Sequence, residues 1–244
     1  MDDELRLIPN LSIDCVIFGW DEGVLKVLLR KELIEYKDIV HIEWKLPGNH
    51  VGMNERIEDT ATRVLKEQAG LENIYMKQFR VFSDLDRLRR REMDYQWIKK
   101  YGLGEDRVIT VGFYSLVNLL NFDSSKLLNV AEWHNVDEVE SLIFDHKEIL
   151  GEALKKLKED VTMHPIVFEL LPKKFTLTQL QQIYEVILGT RFDKRNFRRK
   201  IANLKYVVSC NEKQYGVGHK PPSLFRFDPK IYSKIHQKNL DATA

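Results

Sequence analysis

Cysteine is scarce in this chain. Its 244 residues include 2, Cys15 and Cys210, far apart and each in an apolar, strand-like setting. That spacing supports neither a disulfide framework nor a thiol metal site, and a reducing cytoplasm is the expected setting. Glycine and proline are few as well, 12 and 7, which rules out collagen-like and low-complexity chains. No apolar run approaches the ~18 residues that span a bilayer, so no membrane association is expected. The opening segment, MDDELRLIPN, is acidic where a secretion signal is basic and then apolar. With 43% hydrophobic and 31% charged residues, the chain has enough apolar material for a packed core. At roughly 150 residues per domain, its length allows one large domain or two small ones.

A strong overall charge is missing too, the net being +1, but the two parts of the chain differ. From Val161 onward 15 lysines and arginines face 6 aspartates and glutamates, a balance of +9; the first 160 residues carry 23 against 31, a balance of −8. Such asymmetry points to a nucleic-acid-binding end attached to a different domain, the plainer alternative being an uneven spread of solvated charge.

Ile13 to Phe18 and Val24 to Leu29 read as strands around a turn at Asp21-Glu22-Gly23. A short strand from Ile42 ends at Leu46-Pro47-Gly48. Arg56 to Gln68 reads as a helix, with Ile57, Ala61, Val64 and Leu65 on one face and Gly70 as its stop. Ile74 to Phe82 and Val108 to Val117 are further strands. The polar stretch between them, Ser83 to Asp106, reads as a long loop of the functional or mobile kind. A helix from His146 to Glu159 follows as a connector.

Beyond Val161 the pattern changes. Met163 to Leu171 reads as a first helix, and the capping box Thr176-Leu177-Thr178-Gln179 opens a second that ends at Gly189. Asp193 caps a third, Lys194 to Leu204, before two strands, Tyr206 to Cys210 and Leu224 to Phe227, joined by a polar loop. That order predicts a winged helix-turn-helix. The expected class is α+β, with an effector-binding domain over 1–145, a connecting helix over 146–160 and a DNA-binding domain over 161–244.

Asn49 to Leu71 resembles the Nudix box, G-x5-E-x7-R-E-U-x-E-E-x-G-U, where U is bulky and aliphatic. Leu46-Pro47-Gly48 precedes it, and Glu55, Arg63, Leu65, Glu67, Gly70 and Leu71 match. Asn49, Val64 and Gln68 depart from the pattern, the last two replacing glutamates that hold divalent cations in Nudix hydrolases. Mg²⁺ requires hard, anionic oxygen ligands, so no metal, no cofactor, no catalytic residue and no hydrolase activity are expected.

Further stretches, Arg107 to Leu116, Glu132-Trp133, Phe144 to Leu150 and Asp193 to Lys200, are similar to the Nudix-related transcriptional regulators. The resemblance implies an α/β/α sandwich that senses a small molecule, a C-terminal winged helix, and a homodimer on an operator in double-stranded DNA. Within that family the chain looks closest to the sugar-responsive branch of Bacteroidetes, which implies L-arabinose as effector and a repressor of sugar utilisation. ADP-ribose, as in the branch that governs NAD biosynthesis, stays open beside it. An active diphosphate hydrolase is the remaining reading.

On the third C-terminal helix, Phe197, Ile201 and Leu204 form the core stripe, so Arg195 and Arg199 point outward, Asn196 and Arg198 lie on the flanks, and Lys194 stands at the start. Arginine and asparagine read guanine and adenine edges, while Lys213 and Lys220 on the wing suit phosphates. In the first domain Asp14 sits opposite Ile13, Cys15 and Ile17, and needs either a structural partner or a polar ligand. Glu43, Trp44 and Lys45, with Asn49 and Glu67 of the box, complete the candidate ligand residues, an ion pair being the plainer account of Glu43 and Lys45. His134 and His146 lack metal-ligand spacing and read as structural.

Overall fold

The structure, a computed structural model, describes residues 6–21, 23–100, 107–122, 127, 130–216 and 221–241. Strand β1 (Leu7–Asp21) alternates apolar residues onto both of its faces and is buried over most of its length, which places it at the centre of a sheet. Strands β2 (Val24–Tyr36), β3 (Ile39–Lys45), β5 (Tyr75–Phe82) and β6 (Ile109–Asn118) give the order β3-β2-β1-β6-β5. The β1–β6 pair is parallel, and β4 (Gly48–Gly52) and β7 (Ala131–Asn135) add to β1 and β2.

Side-chain alternation sorts the two faces. Ile13, Cys15 and Ile17 pack with Ala61, Val64 and Leu65 of α1 (Ile57–Ala69). Val16, Phe18 and Trp20 pack with Ile149, Leu150, Ala153 and Leu157 of α3 (His146–Met163). Each fully buried aliphatic side chain contributes roughly 1.5–3 kcal/mol. The result is the expected sandwich of helix, sheet and helix.

The C-terminal part is a winged helix. Strands β8 (Phe175–Thr176), β10 (Ser223–Phe227) and β9 (Val207–Lys213) form a small sheet in that order beside α4 (Leu177–Leu188), α5 (Lys194–Ala202) and α6 (Pro229–Asp241). Thr176 caps α4 through the reciprocal Gln179 bonds, and Gly189, at φ 66°, ends it. The turn to α5 is locked from within. Glu185 accepts the Phe192 N–H at 2.8 Å while Gln181 donates to Glu185 and to the Phe192 carbonyl.

Three expectations change. Ser83 to Asp106 is not one loop, since α2 (Glu92–Lys100) forms within it, residues 101–106 lying outside the described set. No α-helix spans Met163 to Leu171: α3 runs on to Met163, His164 turns extended before Pro165, and a 3₁₀ turn, Pro165–Leu170, follows. The connecting helix is therefore longer than the span His146 to Glu159. Its buried face, the 3₁₀ residues Val167 and Leu170, and Leu180, Ile183, Phe197 and Ile201 of the winged helix all belong to one continuous apolar cluster.

Candidate effector cavity and nucleic-acid interface

The box helix α1 places the residues that depart from the Nudix pattern. Val64 is fully buried between helix and sheet, facing Ile13 and Ile17, where no ion could reach it. Gln68 is occupied elsewhere: its Oε1 accepts the Gly48 N–H at 3.1 Å and its Nε2 donates to the Gly48 carbonyl at 3.0 Å. Glu55 takes two bonds from Arg63, at 2.7 and 2.9 Å, which hold its carboxyl down at about 2. Glu67 is 53% exposed and meets Arg63 at 3.3 Å. Among the described residues no group of three or more His, Cys, Asp or Glu could hold a metal ion. The Mg²⁺ that a Nudix box implies does not fit this donor set, since Val64 offers no ligand atom and Gln68 no charge.

A cavity of about 210 Å³ lies beside β4, on the α3 side of the sheet. Asp14, Lys45 and Asn49 line its strand wall, His146 and Phe144 its helix end, and Arg87, Leu88 and Ile98 come from the segment that reads as a loop in sequence. That segment is fastened down by ion pairs. Arg91 bonds Glu43 at 3.0 Å and Asp94 at 2.6 Å, and Asp94, fully buried, accepts the Phe144 N–H at 3.0 Å.

The polar floor is a connected network. Arg87, 3% exposed, forks onto Asp145 with two bonds of 2.9 Å and reaches Asp14 at 3.4 Å. Thr110 donates to Asp14 at 2.8 Å. His146 Nδ1 accepts the Leu46 N–H at 3.0 Å, which puts the ring hydrogen on Nε2, facing Asp14 Oδ1 at 3.4 Å. Burial pushes His146 down to about 4, so the ring is neutral at physiological pH. Burial also raises the Asp145 carboxyl to about 6, outweighing the attraction of Arg87. Gly48 stands directly against Asp14; a Cβ there would lie 2.2 Å from Oδ1, so only glycine leaves room for this carboxylate.

Of the residues expected to hold a ligand, Asp14, Lys45 and Asn49 come together on the cavity wall. Lys45 also pairs with Glu32 at 2.7 Å. Glu43, Trp44 and Glu67 do not line it. Glu43 is spent on Arg91, Trp44 packs edge-on against His134 at 4.3 Å, and Glu67 sits on the outer side of α1. Arg87 and Thr110 carry no sequence signal for this site, and His146 belongs to it although it reads as merely structural.

In the winged helix, Lys194, Arg195, Asn196, Arg198 and Arg199 are all exposed on α5, while Phe197 and Ile201 anchor it. Asp193 caps the helix by accepting the Asn196 N–H at 2.8 Å. Arg199 bonds the Asn196 side chain at 3.1 Å, and Arg198 leans over the start of α4 beside Thr176 and Thr178. Lys213 is exposed at the end of β9, and Lys220 lies outside the described residues.

Fold and site thus define a Nudix domain in which Val64 and Gln68 stand at two of the box's glutamate positions, followed by a winged helix. Residues 9–157 match the NUDIX domain, and residues 167–227 match the NrtR DNA-binding winged helix domain. The chain belongs to the Nudix family. It is 28% identical over 229 residues to the ADPR responsive transcriptional repressor NtrR of Acinetobacter baylyi, covering 92% of this chain and 84% of that one. Shewanella oneidensis NrtR in complex with a 27mer DNA superposes with a TM-score of 0.67 at 21% identity, over 91% of this chain and 95% of that one. The same protein without DNA gives 0.68 at 23%, over 92% and 95%.

Proposed function

We propose that this chain is a ligand-responsive transcriptional repressor of the NrtR type, in which the Nudix domain senses rather than hydrolyses. The observation that carries the reading is the fate of the box. Val64 is in the core and Gln68 is tied to Gly48, while a basic, capped helix stands exposed on the attached winged helix. The Acinetobacter baylyi relative, described as ADPR responsive, favours ADP-ribose as the effector. In this reading Asp14, Lys45, Asn49, Arg87 and His146 form the effector site in the cytoplasm. Lys194, Arg195, Asn196, Arg198, Arg199, Lys213 and Lys220 face operator DNA, and two copies of the chain bind it together.

One observation favours a second effector. At about 210 Å³ the cavity falls below the ~300–1,000 Å³ of drug-sized ligand sites, which suits one sugar ring better than a whole dinucleotide-like molecule. L-Arabinose is that alternative, although none of the relatives above speaks for it. Calorimetric titration of the full chain with ADP-ribose and with L-arabinose separates the two. Mg²⁺-dependent breakdown of ADP-ribose at an enzymatic rate would overturn the sensor reading.

A further inference from the structure

Asp145 directly precedes α3, the position where an aspartate side chain ordinarily caps its own helix. Here it does not. No side-chain bond caps α3, and the residue has a nearly helical backbone, φ −93° and ψ 12°, instead of the extended one that capping requires. The first amides are served by backbone carbonyls, with His146 N–H on Ile143 and both Glu148 N–H and Ile149 N–H on Asp145. The carboxylate has turned away to take both arms of Arg87 at 2.9 Å.

That pairing is contested. Arg87 is the guanidinium shared by two buried carboxylates, and its contact with Asp14 is the longer one, at 3.4 Å. Arg87, Asp14 and Lys45 line the cavity, whereas Asp145 stands behind Arg87 at the mouth of α3. An oxygen-rich ligand in the cavity meets Arg87 as its donor and Asp14 as its acceptor, and so competes with Asp145 for the same fork.

We propose that Asp145 is a two-position switch: its carboxylate lies on Arg87 in this structure, and a ligand that engages Arg87 releases it to cap α3. Capping requires ψ at Asp145 to swing to the extended region, which redirects the first turn of the helix. Helix α3 packs on the 3₁₀ turn and on α4, so a change in its seating reaches the winged helix through packed side chains. The inference rests on the repressor reading and supplies its regulation.

The test uses the full chain, a DNA duplex selected from a random pool, and ADP-ribose and L-arabinose as probes. Asp145→Asn keeps the shape and capping ability of the residue but loses the charged fork. It should bind the duplex about tenfold more weakly than wild type without any probe, and the probe that weakens wild-type binding should change its affinity less than about twofold. Asp145→Ser, which can cap but cannot span to Arg87, should behave alike and serves if the first variant does not fold. Wild-type affinity and a wild-type probe response in either variant would overturn the switch and leave the repressor reading intact. A wild type that selects no duplex, or whose duplex affinity neither probe alters, would instead remove the repressor reading and the switch with it. A ligand-free arm reads capping itself. Amide hydrogen exchange at Lys147 and Glu148 should be roughly five-fold slower in Asp145→Asn than in Asp145→Ala, and equal rates would show that residue 145 never caps α3.

Discussion

Gln68 grips Gly48 by both of its backbone groups, accepting from the N–H at 3.1 Å and donating to the carbonyl at 3.0 Å. The side chain that replaces a metal-binding glutamate has become a clamp between α1 and β4. A carboxylate at the same place could accept the N–H but would set negative charge against the carbonyl. Gln68→Glu, although it restores the family pattern at that position, should therefore lose about 1–3 kcal/mol in urea denaturation. It should also gain no Mg²⁺-dependent turnover of ADP-ribose, because Val64 remains in the core. Turnover at an enzymatic rate in this variant would show that the box needs only one residue to revive.

The DNA surface predicts two kinds of loss. Arg195→Ala or Arg199→Ala should weaken binding to the selected duplex by about 1–3 kcal/mol and relax base preference, since both are exposed on the outer face of α5. Lys213→Ala, at the edge of the wing, should weaken binding to every duplex alike and reduce the salt slope by about one unit. Equal losses on selected and random duplexes for all three would contradict this division.

Stability between about pH 4 and 6.5 should be a balance of two opposed groups. Asp145 binds its proton more tightly in the folded chain, at about 6 against an ordinary 3.8, so its contribution is full below 3.8 and is lost as pH rises through 6. His146, held at about 4 against 6.5, contributes fully above 6.5 and loses that contribution as pH falls through 4. The two slopes oppose each other over the shared window. Asp145→Asn should leave the histidine slope exposed, so its stability rises with pH more steeply than that of wild type. Chemical denaturation at pH 4.5, 5.5 and 6.5, values about equally spaced across that window, measures the difference. Parallel curves for variant and wild type would mean that Asp145 titrates as an ordinary aspartate.

The turn before α5 offers a separate check. Glu185 accepts the Phe192 N–H and is itself held by Gln181. Glu185→Ala should leave that N–H without a partner, cost about 1–3 kcal/mol, and weaken DNA binding without changing base preference. A variant as stable as wild type would show that water replaces the carboxylate fully.

Much of the frame is legible in the sequence because its signals are local. Thr176 and Gln179 announce α4, Asp193 announces α5, and the alternation of Ile13, Asp14 and Cys15 sets a carboxylate apart from an apolar face. The cavity is far less legible. Its arginine lies in a basic run that reads as a solvated loop, and the partner that buries it, Asp145, is 58 residues away. Arg91 and Glu43 are 48 residues apart, so the roof is fastened by pairs that no periodicity reveals. Glu43 reads as a ligand candidate because it shares a strand face with Lys45, and Trp44 as an aromatic for a sugar's C–H face, but a distant arginine and His134 claim them first. Helix α6 has no counterpart in the sequence reading, which ends at the strand Leu224 to Phe227, although Asp228 accepts the Lys230 and Ile231 N–H groups around Pro229, a common opening for a helix.

The apolar cluster that runs from Val16 and Phe18 through Leu157 and Val167 to Ile183 and Phe197 makes the winged helix a poor cassette. A graft of this segment onto another sensor, or the sensor onto another DNA reader, would strip one wall from a shared interior. Each half on its own would present an oily seam to water and tend to aggregate. The same seam implies that heat or denaturant dismantles both halves in a single step, and that specificity for DNA has had to evolve on the outer face of α5, the side the common interior does not claim.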